Sequence, residues 1–263
     1  MAARQPTFFV PHGGGPCFFM PDPKGHWTGM GAFLRSLPGR LAEKPTAILV
    51  VSAHWETQGF RIASGTTPAM IYDYYGFPPE TYAIRYDAPG APAVAARAAA
   101  LLGDAGLPVQ LDPDRGFDHG VFVPMKVAFP EADIPIVEMS VERNLDPALH
   151  IAAGRALASL RDKGVLIIGS GMSFHDLKAF GDNRFTRPSQ AFDMWLTATL
   201  MQPGDKRADG LARWSEAPAA RTSHPTEEHL IPLMVAASAS DLPGERVYGE
   251  IVLETAISGY RFD

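Results

Sequence analysis

Ala47-Ile48-Leu49-Val50-Val51-Ser52-Ala53-His54 decides the fold. The run is continuously apolar from Ala47 to Val51. It lacks the alternation of a strand with one wet face, so it predicts a strand covered on both sides. Thr7–Val10, Ile134–Met139 and Val165–Ile168 read the same way. Helical stretches separate them: about Met30–Leu37, the Ala-rich Ala91–Leu102, Asp146–Arg161 and Gln190–Met201. A last helix is expected from near Thr226, with Leu230, Leu233, Met234 and Ala237 on one apolar face. A final strand is expected within Ile251–Ile257. The alternation predicts an α/β fold: a single three-layer domain over residues 1–263, with a mostly parallel or mixed central sheet and helices on both faces. Phe60–Tyr86 is rich in aromatics and proline and reads as a packed loop; its other reading is the wall of an aromatic-substrate pocket.

The bulk composition narrows the partners. The chain has 263 residues, 46% hydrophobic and 20% charged, with a formal net charge of −6. No basic block appears, which argues against nucleic acid and anionic membrane as partners. No run approaches ~18 apolar residues, so no membrane span is expected. The single cysteine, Cys17, permits no internal disulfide and reads as a small buried residue. With no secretory signal at the N-terminus, the expected location is cytoplasmic. The oligomeric state is left open.

Five of the eight histidines end apolar runs beside small or turn-forming residues: His12, His54, His119, His175 and His229. Imidazole is both the commonest metal ligand and the commonest acid/base near neutral pH. His12, His54 and His175 each follow a predicted strand, which places them on one rim of one sheet, where open α/β sheets bind ligands. Gly13-Gly14-Gly15 after His12 permits positive φ and close approach to a ligand. Trp55 beside His54 could shield the site from water. His229 is expected in the first turn of the last helix, where Glu227 and Glu228 suit the helix dipole. His224 competes with it as a ligand. His26 and His150 read as solvent-side residues.

The combination of motifs resembles the LigB-like class III extradiol ring-cleaving dioxygenases, most closely their 4,5-DOPA dioxygenase branch. The residues that carry the resemblance are His12-Gly-Gly-Gly-Pro16, Ser52-Ala-His-Trp55, Tyr72-Asp73 with Gly76-Phe-Pro78, Phe117-Asp-His-Gly120, Asp133-Ile-Pro-Ile136, Gly169-Ser-Gly171 with His175, and Pro225-Thr-Glu-Glu-His229. The resemblance implies that His12, His54 and His229 are metal ligands. It makes His175 the acid/base and puts His119 in the pocket as a hydrogen-bond donor. It implies Fe(II), a small aromatic diol and O2 as the reactants. Two departures flank the implied pocket: Gly15-Pro16 running into Cys17-Phe18-Phe19, and Met172-Ser173-Phe174 before His175. Three histidines with an open position also describe a catalytic zinc, so a zinc hydrolase is the rival enzyme. A non-catalytic, metal-retaining binding protein of the Memo type is the rival outside enzymes.

Overall fold

The computed structural model describes residues 3–263. Ala47–Thr57 is strand β2, in the middle of an eight-stranded mixed sheet. It runs parallel to β5 (Ile136–Glu142) on one side and β6 (Val165–Gly171) on the other. β6 is in turn parallel to β1 (Thr7–Pro11). These four strands form a parallel centre whose inner residues are buried on both faces, which is why their sequences read as unbroken apolar runs. Antiparallel contacts at each side attach the outer pairs: β3 (Phe60–Ala63) with β4 (Val109–Asp112), and β8 (Thr255–Phe262) with β7 (Glu245–Val252). The spatial order is β4-β3-β5-β2-β6-β1-β8-β7.

Helices cover both faces. One core lies under α2 (Pro92–Asp104), α4 (Pro147–Leu157), α5 (Thr186–Leu200), α6 (Gly204–Ala212) and α8 (Ile231–Ser238). The other lies under α1 (Thr28–Ser36) and α3 (His119–Ala128). The short α7 (Ala220–Ser223) leads toward the site. Among the described residues no helix is long and apolar enough to cross a membrane.

Several elements differ from expectation. The last helix starts at Ile231, not near Thr226, and it is buried on every side, not along one stripe. Pro232 has no N–H to offer the carbonyl of Glu228, so the turn at Glu228–Leu230 cannot run on as regular helix. His229 therefore sits in a turn ahead of α8. The range Ile251–Ile257 holds a hairpin turn, not one strand. Leu253 and Glu254 both take positive φ, +47° and +66°, the geometry that two-residue hairpin turns need. His150 is fully buried, not solvent-side. Its Nδ1–H donates to the Asp146 carbonyl at 2.7 Å, its Nε2 accepts the Glu142 N–H at 3.0 Å, and its ring edge meets Phe60. Burial pushes its pKa down to about 4.

Candidate metal centre

The carboxyl ends of β1, β2 and β6 deliver the histidines to one rim. His12 follows β1 directly, and its N–H donates to the Gly171 carbonyl at 3.1 Å. His54 lies near the end of β2, where the pairing with β5 shifts register between Val51 and Glu56; such irregularities re-aim side chains at sheet rims. His175 stands four residues past β6, its N–H held by the Ser223 carbonyl at 2.8 Å. His119 opens α3. The His229 carbonyl accepts the Met172 N–H at 3.0 Å, tying its turn to the same strand end. A Cβ on Gly171 would fall 2.0 Å from that carbonyl, so only glycine lets the His229 turn sit this close.

His12, His54 and His229 come together, each offering a ring nitrogen within 4.8 Å of the others. The Nε2 atoms of His12 and His54 are 3.1 Å apart. The far nitrogen of each ring has its own partner. His12 shows how local sequence sets the tautomer. Pro124 inside α3 cannot donate to the carbonyl of Gly120 four residues back. The Ser170 hydroxyl donates to that freed carbonyl instead. Its oxygen is then the acceptor for His12 Nδ1–H, at 3.1 Å, and His12 Nε2 is left with a free lone pair. His54 Nδ1 faces Asp73 Oδ2 at 3.4 Å, and His229 Nδ1–H donates to Glu228 Oε1 at 2.9 Å. Burial, helped by neighbouring imidazoles, holds the pKa of His12 and of His229 well below the ordinary value and pushes His54 down to about 3. Neutral imidazoles, with Nδ1 of His12 and His229 hydrogen-bonded behind them, are the donor set a divalent transition metal requires, so the residues fit such an ion.

Two more imidazoles stand outside this triad. His119 Nδ1–H donates to Asp73 Oδ1 at 2.8 Å, and the His119 backbone N–H reaches the same oxygen at 2.9 Å. His175 stacks on His229 with ring centroids 3.4 Å apart, and its Nδ1 is 3.2 Å from Glu228 Oε1. Each carboxylate thus serves one member of the triad and one outsider. Burial pushes both carboxyl groups up, but hydrogen bonds and charge from the histidines outweigh it, and both end below their ordinary range.

Below the rim a buried network carries the site. Ser52 Oγ accepts the His54 N–H at 3.2 Å and donates to Asp118 Oδ1 at 2.7 Å. Arg115 pairs with both Asp118 and the fully buried Glu138, at 2.6 and 2.9 Å. Trp55 packs under the Arg115 guanidinium at 4.6 Å, so it backs this network and does not cover the histidines.

The remaining candidates fall elsewhere. His224 is buried among Phe192 and Trp214 with Nε2 on the Ser173 carbonyl at 3.0 Å, away from the triad. Glu227 pairs with Arg221. Glu228, expected to serve the helix dipole, instead bridges two imidazoles. Asp73 carried no role in the sequence reading, and its only signal was its place in the Tyr72-Asp73 motif. Cys17 is buried, and its thiol is pushed up to about 12 by burial. Gly13 and Gly15 take positive φ, +80° and +52°, and line a cavity of about 580 Å3 above the histidines. Tyr74, Tyr75 and Phe77 from the aromatic segment form part of its wall.

Comparison with known proteins agrees with this architecture. The family described as the catalytic LigB subunit of aromatic ring-opening dioxygenase matches residues 6–257. The chain belongs to this family and is an extradiol ring-opening dioxygenase. It is 42% identical to Dioxygenase tasH of Hapsidospora irregularis, over 89% of this chain and 78% of that one. It is 38% identical to a 4,5-DOPA dioxygenase extradiol of Beta vulgaris, over 94% and 90% of the two chains, and 35% identical to one of Escherichia coli, over 91% and 87%. The crystal structure of an uncharacterised Escherichia coli K12 protein superposes with a TM-score of 0.79 at 29% identity, covering 99% of this chain and all of that one.

Proposed function

We propose that His12, His54 and His229 hold one Fe(II) ion and that the protein opens the ring of a catecholic diol with O2, outside the two hydroxyls. The observation that carries this reading is the convergence of three neutral imidazoles at the floor of a cavity, with two further imidazoles beside them. When bound, the metal supplies a Lewis-acid centre that acidifies the diol and brings it together with O2. Three uncharged ligands leave the ion's positive charge to be balanced by the ionised diol. The net reaction needs no outside reductant. A ring C–C bond beside the diol breaks, both atoms of O2 enter the product, and the new ends are an aldehyde and a carboxylic acid.

The chain's own residues handle protons. His175, with Nδ1 held toward Glu228, turns Nε2 to the cavity and accepts a proton from a substrate hydroxyl, returning it later as a general acid. His119 is fixed by two bonds to Asp73 and is the hydrogen-bond donor to charge developing on substrate oxygen. The family match favours ring opening over a zinc hydrolase or a non-catalytic binding protein, since its description is that of a catalytic ring-opening subunit.

The test is anaerobic reconstitution with Fe(II), then 4-substituted catechols and O2, with the yellow ring-opened semialdehyde as readout. His12→Ala, His54→Ala and His229→Ala should each lose metal in elemental analysis, because each removes one of only three protein bonds. Ester hydrolysis by a Zn(II)-loaded protein, with no ring opening by the Fe(II) form, would reverse the assignment.

A further inference from the structure

The diol needs only the floor of the cavity. At about 580 Å3 the whole space lies within the range of drug-sized ligand sites, roughly 300–1,000 Å3, so a sizeable substituent fits above the ring. Apart from the histidines, no residue lining it is ionisable at neutral pH. Its walls are built from Met20, Trp27, Phe77, Met172, Leu177 and Phe180. Two of the most exposed large hydrophobic side chains among the described residues, Tyr75 at 90% and Leu177 at 73%, both stand at this cavity. The carboxylates closest to the floor, Asp73 and Glu228, are engaged by imidazoles. Arg35 lines a separate groove behind Cys17, Met20 and Trp27, where Asp22 is taken up by the N–H groups of His26 and Trp27.

We infer, resting on the ring-opening reading above, that the substrate is a catechol with an apolar, uncharged substituent, alkyl or aryl, and that a catechol amino acid is a poor substrate. An ammonium and a carboxylate carried into this wall lose water and meet no counter-charge. An alkyl chain gains about 4-fold in affinity for each methylene it buries. The two sequence departures from the familiar motifs, Cys17-Phe18-Phe19 and Met172-Ser173-Phe174, both supply this wall or the packing behind it.

The Fe(II)-loaded enzyme should follow the order 4-butylcatechol, catechol, L-DOPA in kcat/KM, with at least about 10-fold between first and last. A readout free of turnover comes from the Zn(II)-loaded protein without O2, since Zn(II) has no redox chemistry. Tryptophan quenching that disappears in Trp27→Phe should give the same order of affinities. Leu177→Arg, at an exposed position, should raise kcat/KM for 3,4-dihydroxyphenylacetate by about 10-fold by supplying the missing charge. L-DOPA equal to or better than 4-butylcatechol overturns the inference and leaves ring opening intact. If the Fe(II) enzyme opens no catechol, ring opening fails. The binding order in the Zn(II) form then decides the inference: 4-butylcatechol ahead supports the apolar wall, and equal affinities sink it.

Discussion

Asp73 and Glu228 look alike on paper, each a carboxylate shared by two imidazoles, but they hold different things. Asp73 spends its two short bonds on one residue, His119, through ring and backbone, and only faces His54 at 3.4 Å. Glu228 puts its shorter contact, 2.9 Å, on His229 and a longer one, 3.2 Å, on His175. One carboxylate fixes a residue outside the triad and the other fixes a residue within it. Shared chemistry therefore does not imply a shared consequence when it is removed.

The largest effect should come from the outsiders. His175→Ala should keep its metal yet lose about 10²–10⁴-fold in kcat, the usual range for a positioned acid/base. Loss of metal in that variant would make His175 a ligand and dissolve the distinction. Next, Glu228→Ala should weaken metal binding about 10–100-fold, as removal of a ligand's hydrogen-bond partner does. Asp73→Ala should leave metal affinity within a few-fold and lower kcat instead. Equal metal loss in both variants would break the comparison. Ser170→Ala should resemble Glu228→Ala at the lower end, about 10-fold, since it frees the His12 ring.

Acid should act on both halves in the same direction. The folded pKa of His150 and His224 is lowered, to about 4 and about 3, so the unfolded chain binds more protons below the ordinary imidazole value. Stability falls as pH drops through about 6.5, and each such group costs about 2 kcal/mol by pH 5. The depressed carboxyls of Asp73 and Glu228 also contribute stability, but theirs is lost only below the ordinary carboxylate range, so between pH 7 and pH 5 the histidines carry the change. Chemical denaturation of the apoprotein at pH 7 and pH 5 should register the loss. A flat profile would mean those rings are hydrated. The smallest effect is expected from His224→Asn: metal content near wild type, with a shallower acid slope.

The parallel centre of the sheet was legible because both faces are buried and the sequence cannot alternate. His12, His54 and His175 were legible because they close or follow those runs. The carboxylates were not. Asp73 meets His119 from 46 positions away, across a segment with no periodicity. Glu228 beside His229 reads as a helix-start acid, and only the break at Pro232 shows that the turn is not yet helix. α3 was missed because Gly120 and Pro124 argue against a helix. That same Pro124 frees the carbonyl that anchors Ser170. The hairpin was missed because Leu253-Glu254 carries none of the Asn or Gly that usually marks such a turn.

β1 leads directly into the first of the three histidines, yet both its neighbours in the sheet, β6 and β8, are made much later. At a synthesis rate of about 5–20 residues per second, His12 waits roughly 10–40 s for His229 to be added. A ribosome-bound fragment ending after β5 holds two of the three imidazoles and has not yet made either strand that pairs with β1. On the metal assignment proposed above, loading is coupled to completion of the sheet and not to the emergence of the first histidines.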